Sequence, residues 1–154
     1  MRGRQQPSGS LVLDGAGNLF GTAAGGGNSC SKSNIGCGVA FKLAPDGKQT
    51  VLHSFCSRTS CADGATPMDA PFIAASGDLF GTAQFGGHAS SNGVVWRLSG
   101  SDFRTLHKFC KEGGDCAEGA SPAAALVSDA SGHLIGTTQY GGMNFAGVIY
   151  EITP

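Results

Sequence analysis

Two acids and two histidines stand at matched places in this 154-residue chain. Asp63-Gly64 matches Glu118-Gly119, and His53 matches His107, each histidine lying two residues before a phenylalanine. Paired carboxylates about 5–9 Å apart can hydrolyse a glycosidic bond, one as acid and the other as base or nucleophile. A histidine can move a proton near neutral pH. Further acids gather in the same stretches: Asp69, Glu112 and Asp115. Recurrence weighs against catalysis, however. An acid that returns in every copy of a turn serves the turn as an Asx-type acceptor, and a histidine that returns on a strand serves as a hydrogen-bonding group between strands. Asp63, Glu118, His53 and His107 are the candidate catalytic residues of a hydrolase or lyase reading that stands behind binding.

A second set surrounds two Gly-Gly steps: Gln84, Phe85 and His88 in one stretch, and Gln139, Tyr140, Met143 and Asn144 in the other. An aromatic ring beside flexible backbone, with amides at hand, can stack on a sugar ring and hydrogen-bond its hydroxyls. The plainer reading is that Phe85 and Tyr140 pack between structural units and that the glycines only allow positive φ. Other chemistries lack their motifs. There is no Gly-x-Ser-x-Gly elbow beside Ser54 and no phosphate loop of the Gly-x-x-x-x-Gly-Lys type. Gly25–Gly27 sits between strands, away from any helix start. No cofactor is expected. Calcium remains an outside option without an EF-hand-like ligand string, and no metal ligands are assigned.

Composition narrows the partners. Charged residues make up 14 % and the net charge is −1, so no basic stripe marks a nucleic-acid binder. No apolar run approaches the roughly 18 residues needed to span a bilayer. Met1–Gln6 is polar and lacks the apolar core of a signal peptide, so any export signal is expected upstream of it or already removed. Six cysteines fall in three close pairs, Cys30 with Cys37, Cys56 with Cys61, and Cys110 with Cys116. Three local disulfides are the expected reading, and a zinc site the competing one, because zinc knuckles use tighter spacings. Disulfides imply an oxidising compartment, hence an extracellular, periplasmic or cell-surface location.

The elements that must position these residues are repeats. Gly21-Thr22 recurs as Gly81-Thr82 and Gly136-Thr137, each followed by a double glycine (Gly26-Gly27, Gly86-Gly87, Gly141-Gly142). A turn glycine precedes each anchor (Gly17, Gly77, Gly132), and a proline precedes each turn (Pro7, Pro67, Pro122). Gly38-Val39, Gly93-Val94 and Gly147-Val148 then open a strand of period two, as in Val94, Trp96 and Leu98. The 26 glycines, where average usage gives about 11, thus sit at turns. Each unit reads as four strands: A (Leu11–Leu13, Pro71–Ala75, Ala123–Ser128), B (Leu19–Ala23, Leu79–Ala83, Leu134–Thr138), C (Val39–Leu43, Val94–Leu98, Val148–Ile152) and D (Thr50–Phe55, Arg104–Phe109). The third copy has no strand D before Pro154.

The expected fold is therefore all-β: three four-stranded antiparallel meanders, the last without its outer strand, acting as β-propeller blades. Their bounds are about 7–60, 61–115 and 116–154 of a single repeat domain. The pattern Gly-Asn-Leu-Phe-Gly-Thr, then Gly-Val-x-Phe-x-Leu-x-Pro-x-Gly, then Val-Leu-His-Ser-Phe resembles the GloVer-type repeat of choice-of-anchor bacterial extracellular proteins, from about Pro7 to Pro154. That resemblance implies a tandem-repeat surface protein and is silent on chemistry. The layout is also similar to kelch blades. Propellers have four to eight blades, so self-association into a six-bladed ring with two-fold symmetry is expected. All three cysteine pairs and the double glycines map to the end that carries the B–C loops and D-to-A links, which makes it the expected binding face. The expected function is an extracellular carbohydrate- or glycan-binding module, with a structural or adhesion repeat as the alternative.

Overall fold

A computed structural model describes residues 9–27, 36–88, 91–110 and 114–154. The described chain is all-β, in three antiparallel four-stranded sheets. The first holds β1 (Val12–Leu13), β2 (Leu19–Ala23), β3 (Val39–Leu43) and β4 (Gln49–Ser54) in that order. The second repeats it with β5 (Phe72–Ile73), β6 (Leu79–Ala83), β7 (Val94–Ser99) and β8 (Asp102–Lys108). The third holds β9 (Ala120–Pro122), β10 (Val127–Ser128), β11 (Leu134–Tyr140) and β12 (Ile149–Ile152). Two short 3₁₀ turns, Thr59–Cys61 and Met143–Phe145, complete the described structure.

The third sheet reaches four strands differently from the others. Both β9 and β10 pair with β11, with Pro122 opposite Thr138 and Val127 opposite Ile135. They are two pieces of one strand A, and no strand lies beyond β12 among the described residues. The strand expected over Ala123–Ser128 is thus confined to its last two residues, and β9 lies before it. Inside β9, Ser121 takes a left-handed φ of 56° and its N–H donates to the Asn92 carbonyl of the second unit. Thr66, with φ of 57° and its N–H bond to the Cys37 carbonyl, repeats this geometry one unit earlier.

The Gly of each Gly-Thr anchor is explained by its cross-strand partner. Gly21 faces Phe41, Gly81 faces Trp96 and Gly136 faces Tyr150. Each ring lies over the bare backbone. A Cβ on Gly81 would come within 2.7 Å of Trp96 Cε2, and one on Gly21 within 2.8 Å of Phe41 Cζ. The Thr side chain reaches the next unit: Thr22 Oγ1 donates to the Asp69 carbonyl (2.8 Å) and Thr82 Oγ1 to the Ala124 carbonyl (3.2 Å).

Apolar residues then cover both faces of the middle sheet. Its Trp96, Leu98 and Phe103 pack with Phe55 and Ala40 of the first unit, and its Val95, Phe80 and Phe109 pack with Leu126 and Leu134 of the third. Fully buried Trp96 sits at the centre of the first interface, its ring 5.7 Å from that of Phe55. Gly81→Ala should therefore cost about 1–3 kcal/mol by overpacking. Gly15→Ala, where a new methyl meets nothing within 4 Å, should stay within about 0.5 kcal/mol. Urea unfolding followed by tryptophan fluorescence checks both, and equal midpoints for the two variants would refute the role given to the ring.

Candidate functional site

The double glycines and the disulfides meet at one end of the sheets. The Cys56–Cys61 and Cys110–Cys116 bonds close loops directly after strand D. Cys37 is also disulfide-bonded, and its expected partner Cys30 lies outside the described residues, as does Glu112. The Cys37, Cys56 and Cys61 sulfurs lie within 4.8 Å of one another, but all three are oxidised, so the cluster offers no thiolate to a metal. Each disulfide loop presents a carbonyl to the glycines of the next unit. Gly87 N–H donates to the Cys61 carbonyl and Gly142 N–H to the Cys116 carbonyl, both at 2.9 Å. A Cβ on Gly86 would lie 2.7 Å from Gly64 Cα, and one on Gly141 would lie 2.7 Å from Gly119 Cα. Two backbones touch here, and only glycine permits it.

The candidate binding residues fall on the same end, at the close of strand B. Gln84 Nε2 donates to Gln139 Oε1 at 3.0 Å, joining the second and third units. The neighbouring rings remain in solvent, with Phe85 42 % and Tyr140 58 % exposed. Phe85 is held by a bridge to Ala65 and Tyr140 by its pairing with Ala120, so the backbone beneath each ring is fixed. His88 is partly buried, whereas Asn144 stands exposed with φ of 59° beside exposed Met143 and Phe145. Phe145 did not stand out in the sequence, because no other copy has an aromatic at its place. The geometry is two amides in contact, flanked by accessible rings, on a disulfide-braced rim.

The four candidate catalytic residues separate into two unequal pairs. Asp63 is fully buried, and its carboxylate accepts from His53 Nε2 (3.0 Å), Ser57 N–H (3.0 Å), Ser57 Oγ (2.7 Å) and Arg58 N–H (3.2 Å). Burial alone would raise its pKa, but these hydrogen bonds outweigh burial and hold the carboxyl at about 2. The His53 ring stacks on Phe103 of the second unit at 3.6 Å. Asp63 therefore ties the link between units to strand D and has no face open to a substrate. Ser57 and Arg58 complete the cage, and the sequence offered no sign of them, since the second copy has Lys111 and Glu112 at those places. The equivalent Glu118 is half exposed and lies 3.9 Å from His107 Nε2. Asp69 serves the next interface, accepting from the Ala70 and Ala125 N–H groups. Asp115 accepts from the Ala117 N–H within its own loop.

A larger cleft, about 460 Å³, lies at the opposite end between the second and third units. Phe72, Phe80 and Leu134 line it, with Asp78, Arg97 and Asp129 among its polar residues. Its charges are committed to the fold. Hydrogen bonds from Ser99 and Arg97 hold the Asp78 carboxyl below its ordinary range, with Arg97 at 2.7 Å. Asp129 accepts from the Ser131 and His133 N–H groups and pairs with His133 Nδ1 at 3.0 Å. No loop motif in the sequence marks this gap, because it opens between units rather than within a loop.

Sheets that stack face to face, joined by disulfide-closed links, define an all-β tandem-repeat protein. The chain belongs to the Gloeobacter/Verrucomicrobia repeat family, whose model matches residues 6–154. Among solved structures it is similar to a protein described as a gluconolactonase, with 16 % identity and a TM-score of 0.46, covering 94 % of this chain and 47 % of that one. The chain thus spans about half of that protein's length. No curated protein matches. No described helix is long and apolar enough to cross a membrane.

The Asp63 cage sets an acid dependence. A carboxyl with folded pKa about 2, against about 3.8 when unfolded, contributes stability above pH 4 and loses it as pH falls through 4 toward 2. Asp63→Asn should lower the melting temperature at pH 7 and flatten its dependence on pH between 4 and 2. Parallel slopes for wild type and variant in that window would contradict the assignment.

Proposed function

We propose that the chain is an extracellular binding module of β-propeller type whose disulfide-braced end takes carbohydrate, with a polymeric glycan as the ligand class. The observation that supports this best is the Gln84–Gln139 amide contact flanked by the exposed rings of Phe85 and Tyr140. Amides satisfy hydroxyls and rings cover the apolar face of a sugar. Disulfides support export, since they persist in oxidising compartments. A scaffold repeat without a small ligand is the competing reading, and the inter-unit work done by the Gly-Gly and Gly-Thr steps is what favours it. Glycan-array or affinity-gel binding should be lost at least about tenfold in Phe85→Ala and Tyr140→Ala with the melting temperature unchanged. Absence of glycan retention by the wild-type chain would leave the scaffold reading.

The propeller reading includes closure by self-association. The first unit exposes Leu11, Leu13 and Val51 at 49, 64 and 46 % on the face by which the second unit meets the first. The third unit exposes Val127 and Ile149 at 59 and 79 % on the opposite face, where the matching Val95 of the second unit is wholly buried by the third. These are the two halves of the interface the molecule already makes twice internally. A second copy can cover both, giving six units about a two-fold axis. Sedimentation at tens of micromolar should show a dimer, and Ile149→Glu or Leu13→Glu should shift it to monomer. A wild-type monomer at that concentration would contradict closure by this route.

A further inference from the structure

Two disulfides of the first unit lie side by side. Cys37 stands directly before the glycine that opens β3, whereas Cys56 and Cys61 close the loop after β4. The Cys37, Cys56 and Cys61 sulfurs lie within 4.8 Å of one another. Backbone hydrogen bonds set this approach. The Cys37 carbonyl accepts from the Thr66 N–H (2.7 Å), the Cys56 N–H donates to the Gly64 carbonyl (2.9 Å), and the Gly64 N–H donates to the Cys61 carbonyl (2.8 Å). The second unit has Asn92 and the third Ala146 at the place of Cys37, so Cys110–Cys116 meets no third sulfur there. The two bonds of the first unit also differ in access. Cys37 is wholly buried, while Cys56 and Cys61 are only partly buried at the edge of the same apolar cluster. A reductant therefore reaches Cys56–Cys61 before it reaches the Cys37 bond.

We propose that these three sulfurs form a thiol–disulfide exchange site whose substrate is a dithiol reductant, with Cys56–Cys61 as the entry and the buried Cys37 bond as the acceptor. A thiolate of the dithiol attacks one sulfur of Cys56–Cys61, and its second thiolate resolves the mixed disulfide. The dithiol leaves as a disulfide, two electrons pass to the protein, and Cys56 and Cys61 are left as thiols. One of them, as thiolate, then attacks Cys37 Sγ across the short gap. A bond from Cys37 to Cys56 or Cys61 forms and the old Cys37 bond breaks. Its other sulfur (Cys30 in the expected pairing, outside the described residues) leaves as a thiolate and takes a proton from water. Of two disulfides one remains, and it has moved. It now ties the start of β3 directly to the link between the first and second units. The site does not depend on the glycan reading, because it needs the sulfurs of the first unit and not the Gln84–Gln139 seam.

The test is limited reduction of the intact chain with an equimolar amount of dithiothreitol, quenched with iodoacetamide and mapped by mass spectrometry without further reduction. Lys32, Arg58 and Lys111 lie between the two cysteines of each pair, so trypsin parts every pair and each bond is read as its own cross-linked peptide. Cross-links from Cys37 to Cys56 or Cys61 should rise at least about tenfold over the untreated protein and stay at least about tenfold above any from Cys37 to Cys110 or Cys116. Cys61→Ser leaves Cys56 without its partner. That variant should show the Cys37–Cys56 cross-link with no reductant added, and iodoacetamide should label Cys30 in place of Cys56. If the variant does not fold, the wild-type measurement decides alone. Alkylation of both Cys56 and Cys61 with no new cross-link would overturn the proposal. So would equal yields of cross-links from Cys37 to Cys110 or Cys116, which mark scrambling of an unfolded chain.

Discussion

A four-stranded sheet with apolar residues on both faces can be soluble only between two others, and the rest of this structure depends on that constraint. Strand C alternates, but neither side of it faces water in the middle unit: Val94, Trp96 and Leu98 are buried on one face and Val95 on the other. The sheet cannot be thickened inward, so its two faces must be close to flat where neighbours press. That is why glycine stands opposite the large aromatic. Without a Cβ at Gly81 the Trp96 ring lies down against β6 and becomes part of a smooth face, whereas a side chain there would push it into the neighbouring sheet. The adjacent threonine then pins the packed sheets in register through the carbonyl of the following link.

This dependence on neighbours also explains the links. A stack of sheets joined by long flexible segments would lose much conformational entropy on assembly. Here the links are shortened chemically. A disulfide closes each loop after strand D, the loop carbonyl caps the next Gly-Gly step, and the proline that follows seats on the glycine opening strand C, Pro67 on Gly38 and Pro122 on Gly93. Asp63 adds a charged brace in the first link, and its buried carboxylate is tolerable because four donors replace the lost water. Glu118, one methylene longer and half exposed, makes only a loose contact with His107 in the second.

The scaffold was legible in the sequence because each of its demands recurs. Strands B and C were placed to within a residue or two from the Gly-Thr and Gly-Val anchors, and β2 and β6 match their expected bounds. Strand A was less legible. It is shorter than expected, and Thr66 and Ser121 just before it take a left-handed backbone set by hydrogen bonds to the preceding unit rather than by local propensity. The cage around Asp63 was not legible, since Ser57 and Arg58 that complete it give way to Lys111 and Glu112 in the second copy. Phe103 was missed for the same reason: its counterpart in the first unit is Gln49, so repetition gave no sign that an aromatic there packs between units.

Repetition itself separates what holds the protein together from what can act. Recurring positions are consumed by the stacking: the Gly-Thr steps of the first two units, the double glycines, and Pro67 and Pro122 are in backbone contact or inter-unit bonds. The positions just before the double glycine are under no such demand. They read Ala24-Gly25 in the first unit, Gln84-Phe85 in the second and Gln139-Tyr140 in the third, on one braced rim. If these residues served the stacking, the first unit would need them as well, and their rings would be buried. Instead the pair of copies that carries amides also carries exposed aromatics, and the two amides meet across the seam between units. Asp63 follows the opposite pattern, turned fully inward, while its counterpart Glu118 stays half exposed. The copies thus diverge while the backbone stays fixed at the Gln84–Gln139 seam, and the binding reading proposed above rests on that divergence.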